Sequence, residues 1–188
     1  MKKGTIVAIA VAAVLLLIVI LGISSYNGLV NAEVKTDEKS STVGVMLTRR
    51  ADLIPNLVNT VKGYAAHESE VYTAIADARA KLNGAATTEG KLEANEQLES
   101  ALSRLLVIVE RYPDLKASAQ FQTLMDQLEG AENRISTARV DYNSAVKEYN
   151  AKLRRFPNNL IAGMFGFEKR EMYEAPAEDL TAPEVNFD

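Results

Sequence analysis

The sequence has no cysteine and no tryptophan, a single histidine, His67, and only five prolines among 188 residues. Without cysteine there is no disulfide, thiolate metal site or cysteine nucleophile, and the redox compartment stays open. A basic surplus is missing too: the net charge is −4, and apart from Lys2 and Lys3 the chain sets 19 basic against 25 acidic residues. A nucleic-acid binder needs a basic face to neutralise phosphates, so that class is set aside. His67 is followed by Glu68, but Val71 stands where a zinc-protease helix needs its second histidine. There is no GxSxG, no glycine-rich phosphate loop and no nucleophile beside a base. The expectation is a protein without catalytic residues, metal ligands or cofactor.

What the sequence does have is a long apolar run. Gly4 to Ile23 reads GTIVAIAVAAVLLLIVILGI, twenty residues without a charge, and a helix of that length covers ~30 Å, the depth of a bilayer core. A cleaved signal peptide is the alternative. The run is longer than the usual signal core, lacks a convincing small-x-small cleavage site and is not followed by a lipoprotein cysteine, so it reads as an uncleaved anchor. Lys2 and Lys3 precede it and the next basic residue is Lys35. By the positive-inside rule the amino terminus is cytoplasmic and the remainder extracytoplasmic, with Tyr26 at the far interface.

Beyond residue 25 no stretch alternates with a period of two, and glycine and proline gather at a few junctions, so the fold is read as all-α. Four long helices are expected. The first continues from the anchor to about Thr48, and the second covers about Asp52 to Asn83. Asp52 would cap that second helix, with Pro55 in its first turn, where a missing N–H costs nothing. The third covers about Glu89 to Arg111 and stops at RYPD, its dense stretch LLVIV (105–109) central in the bundle; the fourth runs from about Asp114 to Phe156. In the fourth, Phe121, Leu128, Ile135, Tyr142, Tyr149 and Phe156 recur every seven residues beside Leu124, Ala131, Ala138 and Ala145. That heptad seam predicts an antiparallel up-down bundle with coiled-coil-like packing.

Polar positions stand out against this pattern. Glu68 interrupts the row Ile54, Val61, Ile75, Leu82; it is either buried against Arg139 or Arg134, or solvated at the rim. Arg50, Glu68 and Arg79, spaced by 18 and 11 residues, would share one face of a continuous second helix, with Arg49 and Asp52 near its start. The Tyr-Asn pairs at 142 and 149 read either as a sugar- or peptide-binding ladder or as hydrogen bonds that fix helix register. After RFPNNL (155–160), the apolar LIAGMFGF (160–167) either docks on the bundle, touches a membrane or joins a partner subunit. From Glu171 onward there are six acidic residues and no basic one, which predicts an extended tail.

Several of these stretches together resemble one family. YNGLV (26–30), RRADLIPNLVNTVKGYAAHE (49–68), Ala78-Arg79, ERYPDLKA (110–117), Glu132-Asn133, RVDYNSAVKEYN (139–150) and RFPNNLIA (155–162) resemble the LemA family in order, over residues 5 to 165. The resemblance implies a membrane-anchored antiparallel helical bundle, widespread in bacteria, with no settled biochemical activity; one relative is associated with magnetosome membranes. Where the family commonly carries tryptophan, this chain has Ser40, in a stretch, EKSSTVG, of weak helix propensity.

The organisation expected is thus an anchor at 1–25, a bundle domain at 26–156 and a tail at 157–188. The function expected is that of a non-enzymatic, single-pass scaffold of the bacterial inner membrane, with protein partners or copies of itself. The competing expectation is an envelope sensor or enzyme with a polar site around Arg50, Glu68 and Arg79.

Overall fold

A computed structural model describes residues 3–173, and 85% of these are helical, with no strand among them. The helices are α1 (Lys3–Lys62), α2 (Ser69–Gly84), α3 (Thr88–Val109), α4 (Pro113–Lys116), α5 (Ala119–Arg154) and α6 (Asn158–Phe165). Lys2 and most of the acidic tail lie outside the described residues. Two compact units form: one comprises the chain up to Thr36 together with the chain from Tyr142 onward, the other Asp37–Asp141.

The first unit holds the apolar run. Apart from half-buried Gly22, the described side chains between Ile6 and Ile23 are exposed along α1, and one window in this helix is long and apolar enough to cross a membrane. Beyond it, Leu29 and Ala32 of α1, Tyr149 and Leu153 of α5, and Ala162 of α6 form a small buried core, with Ile161 and Phe167 packed against it. Gly166 has φ +75 and stops α6. A left-handed residue turns the last carbonyls toward new donors, and here the Phe167 amide donates to the Ala162 carbonyl at 3.1 Å.

The second unit contains the larger core. Ile54, Leu57 and Val61 of α1, Ile75 and Leu82 of α2, Leu98 and Leu105 of α3, Leu115 of α4 and Phe121, Leu124 and Leu128 of α5 are all buried in it. Each such side chain contributes about 1.5–3 kcal/mol by leaving water. α2 and α3 pack on one another across residues 85–87; Thr87 Oγ1 accepts from the Gly90 amide at 3.1 Å and caps α3. The LLVIV stretch is not uniformly central. Leu105, Ile108 and Val109 are buried while Leu106 and Val107 are exposed, because a helix carries five consecutive residues all round its axis.

Helix boundaries differ from expectation at three places. There is no break before Asp52: α1 runs through EKSSTVG and through Pro55 to Lys62, so Asp52 is not a cap and Pro55 is an interior proline. The break comes instead at 63–68, where Tyr64 and Ala65 both donate to the Val61 carbonyl. The turn is held by the Tyr72 hydroxyl, which donates to the Ala65 carbonyl at 2.7 Å, and by Lys62 Nζ, 5.0 Å from the Tyr72 ring centre. Finally, the expected fourth helix divides into α4 and α5 at Ala117–Ser118, and Ser118 Oγ caps α5 by accepting from the Phe121 amide. At its far end α5 stops at Arg154, so Phe156 lies beyond it and is 80% exposed; it does not belong to the seam. The other five seam residues are buried: Phe121, Leu128 and Ile135 in the second unit, Tyr142 and Tyr149 in the first.

Candidate functional site

In the second unit, Arg50 of α1 reaches α3 and α5. Its side chain is only 11% exposed. Nη1 donates to Glu99 Oε1 at 2.8 Å and to Asn95 Oδ1 at 3.4 Å, and lies 2.6 Å from Glu132 Oε2. The contact to Glu132 brings the charges together without hydrogen-bond alignment, and Arg50 Nε and Glu132 Oε2 have no hydrogen-bond partner among the described residues. Asn95, fully buried, donates to Glu99 Oε1 at 2.6 Å. The i,i+4 spacing of Asn95 and Glu99 lets the amide orient the carboxylate before it meets the arginine.

This cluster borders a cavity of about 560 Å³. Leu57, Leu102, Leu106, Met125 and Leu128 provide apolar wall, while Arg50, Glu99, Glu129, Glu132 and Ser103 provide polar edge. The Ser103 hydroxyl donates to the Glu99 backbone carbonyl, so its proton is held by the helix and not by a base. Among the described residues no three His, Cys, Asp or Glu side chains converge as metal ligands do. The arrangement can bind and orient a ligand.

Arg79 does not join this cluster. Its Nε donates to the Ala51 carbonyl at 3.0 Å, and its Nη2 lies 3.5 Å from Asp52 Oδ1. Ala51 is the residue four before Pro55, whose carbonyl a normal residue 55 would engage. Arg79 therefore supplies the donor that proline lacks. This is the physical reason α1 continues where a helix start was expected.

Glu68 also stands apart. It precedes α2 and pairs with Arg111 Nη2 at 2.7 Å, not with Arg134 or Arg139. The break at 63–68 cancels the helical spacing that would have aligned it with Arg50 and Arg79. Arg49 is exposed; Arg139 is half-buried and its Nε has no hydrogen-bond partner among the described residues. Sequence reasoning missed Asn95, Glu99 and Arg111. The i,i+4 Asn-Glu pair on α3 was the available signal for the first two.

In the first unit, the Tyr-Asn positions grip the chain itself. Asn150 Nδ2 donates to the Arg170 carbonyl at 2.8 Å and its Oδ1 accepts from the Arg170 amide at 3.1 Å. Asn143 makes the same pair of bonds to Tyr173, both at 2.8 Å. The Tyr142 hydroxyl donates to the Glu171 carbonyl, and its ring stacks on Tyr173 at 4.4 Å. One heptad of helix covers ~10.5 Å and three residues of extended chain ~10 Å, so the two asparagines match residues 170 and 173 in register. Nearby, the Glu148 carboxyl is held below the usual carboxylate range by hydrogen bonds from Lys35 and then Lys152.

The magnetosome protein MamQ 2 of Paramagnetospirillum magneticum is 29% identical over 94% of this chain and 76% of its own length. MamQ of Magnetospirillum gryphiswaldense is 26% identical over 82% of this chain and 66% of its own. Protein LemA of Metamycoplasma hominis is 26% identical over 72% and 63%. The LemA family model matches residues 39–187, which include α2 to α6, the Arg50 cluster and both asparagine clamps, and the chain is a member of the LemA family.

Proposed function

We propose that this protein is a non-enzymatic, single-pass scaffold of the bacterial inner membrane. One observation carries the reading: a twenty-residue uncharged run, whose large apolar side chains such as Leu15, Leu16 and Leu17 are exposed, continues without a break as α1 into a packed helical region. An exposed apolar stretch of that length is costly in water and stable in a bilayer. The anchor thus leads into the fold through helix and not through a loop.

In this reading the helices form an antiparallel up-down bundle with the amino terminus cytoplasmic and the bundle extracytoplasmic. Supporting the bundle are the heptad-spaced Phe121, Leu128 and Ile135, all buried. The cavity beside Arg50 is the docking site for a protein partner. Its apolar wall and the carboxylates of Glu99, Glu129 and Glu132 suit a segment that presents apolar and cationic side chains together. Assembly of copies through their anchors is part of the same proposal.

Native membranes washed with alkaline carbonate test the anchor: the protein stays in the pellet, and its release would overturn the reading. For assembly, the size of the detergent-extracted chain is measured, and a clean monomer removes self-association. A photo-crosslinker at Ser103, on the cavity edge, tests docking in cells. An adduct that Leu106→Glu, at an exposed position of the cavity wall, abolishes supports it, and one indifferent to that change rejects it.

A further inference from the structure

α6 lies beside the end of the apolar run. A methyl placed on Gly22 would stand 4.0 Å from Ile161 Cδ1, and the Tyr26 ring lies 4.8 Å from Phe165 and 5.7 Å from Phe167. The run ends at Ile23, so these contacts bracket its last turn. One side of α6 is spent on the core through Ala162 and Ile161. The other side is apolar and bare: Leu160 and Met164, one helical turn apart, are 57% and 75% exposed. Arg154 and Arg155 before α6, and Lys169 after it, are exposed.

An apolar face flanked by cations is costly in water and suits the boundary between acyl chains and anionic headgroups. We infer that α6 is an interfacial helix: Leu160 and Met164 insert into the leaflet in which the span ends, and Arg154, Arg155 and Lys169 meet its phosphates. The occupant of this face is the bilayer because the face sits level with the end of the span and is joined to it through Gly22 and Tyr26. This rests on the reading of residues 4–23 as an anchor. The chain would then hold the membrane at two points, a span and a surface helix, which restricts the tilt of the first unit.

The absence of native tryptophan makes the test direct. Full-length variants Val14→Trp, Met164→Trp, Leu160→Trp and Val34→Trp are reconstituted in vesicles of phosphatidylcholine and phosphatidylglycerol that carry brominated acyl chains. Val14→Trp, in mid-span, loses most emission to bromine near the chain ends. Met164→Trp and Leu160→Trp lose emission to a comparable extent, but to bromine near the glycerol, and Val34→Trp loses little. If Val14→Trp is quenched while both α6 variants emit as in water, the anchor stands and this inference falls. Blue-shifted but unquenched emission at both α6 positions would mean that another protein surface covers the face, and also overturns it. An unquenched Val14→Trp removes the anchor and the inference together.

Discussion

Arg79 donates from Nε to the carbonyl oxygen of Ala51 at 3.0 Å, at the place on α1 where Pro55 removes the helix's own donor. An interior proline costs ~3 kcal/mol or more when the carbonyl it frees has no partner; here a side chain from α2 takes the vacancy. Arg79→Met is expected to lower stability by about 2 kcal/mol, the range for a lost hydrogen bond to a charged group. Pro55→Ala restores the backbone donor, so the same change made in that background costs less than half as much. Thermal melts of the four proteins of this double-mutant cycle check the coupling, and additive losses would show that the two residues act independently.

Arg50 is the shared cation of Glu99 and Glu132. Arg50→Met leaves two carboxylates facing each other at the cavity edge and is expected to cost about 1–3 kcal/mol. Adding Glu99→Gln and Glu132→Gln removes the repulsion and recovers part of that loss. Denaturation by urea of the single and triple variants measures the recovery; a triple variant less stable than the single one contradicts the assignment of the cost to charge.

Tyr72 ties the 63–68 turn to α2. Burial, then the neighbouring Glu68 and Tyr112, raises its pKa above the ordinary 10.0, so the folded protein favours the protonated phenol. The stability this gives is fully present below pH 10.0 and is lost as the pH rises through the folded value. Tyr72→Phe should cost about 1 kcal/mol at neutral pH and flatten the alkaline fall of the stability curve. Melting temperature against pH for the two proteins is the measurement.

Asn143 and Asn150 each hold one residue of the segment 170–173 by two hydrogen bonds. Replacing both by alanine is expected to free the segment and leave the helix content intact. Trypsin cleavage after Lys169 and Arg170 should then speed up several-fold, while circular dichroism stays unchanged. Equal cleavage rates would mean that the clamps do not protect the segment.

Much of the helical character was legible because its causes are local. The twenty-residue apolar run needs only its own composition to be read, and Phe121, Leu128 and Ile135 need only their period. Pro55 was misread because the donor that excuses it, Arg79, comes from another helix, 28 residues beyond the Ala51 carbonyl it meets. Phe156 was counted in the seam because the seven-residue pattern passes through it, although α5 ends two residues earlier. The grouping of Arg50, Glu68 and Arg79 failed for a related reason: it assumed one continuous helix, and the turn at 63–68 sends each to a different partner. Of the Arg50 cluster, Glu132 was visible within the family's Glu-Asn pair, whereas Asn95 and Glu99 carried only an i,i+4 spacing that many helices share.

The asparagine clamps have a further consequence. Their four hydrogen bonds end on main-chain atoms of Arg170 and Tyr173, so these bonds place no demand on which side chains those two positions carry. Only proline is barred there, since it has no amide hydrogen to give. The asparagines thus fasten the path of the main chain, while the choice of side chain enters through a different contact, the stacking of Tyr173 on Tyr142.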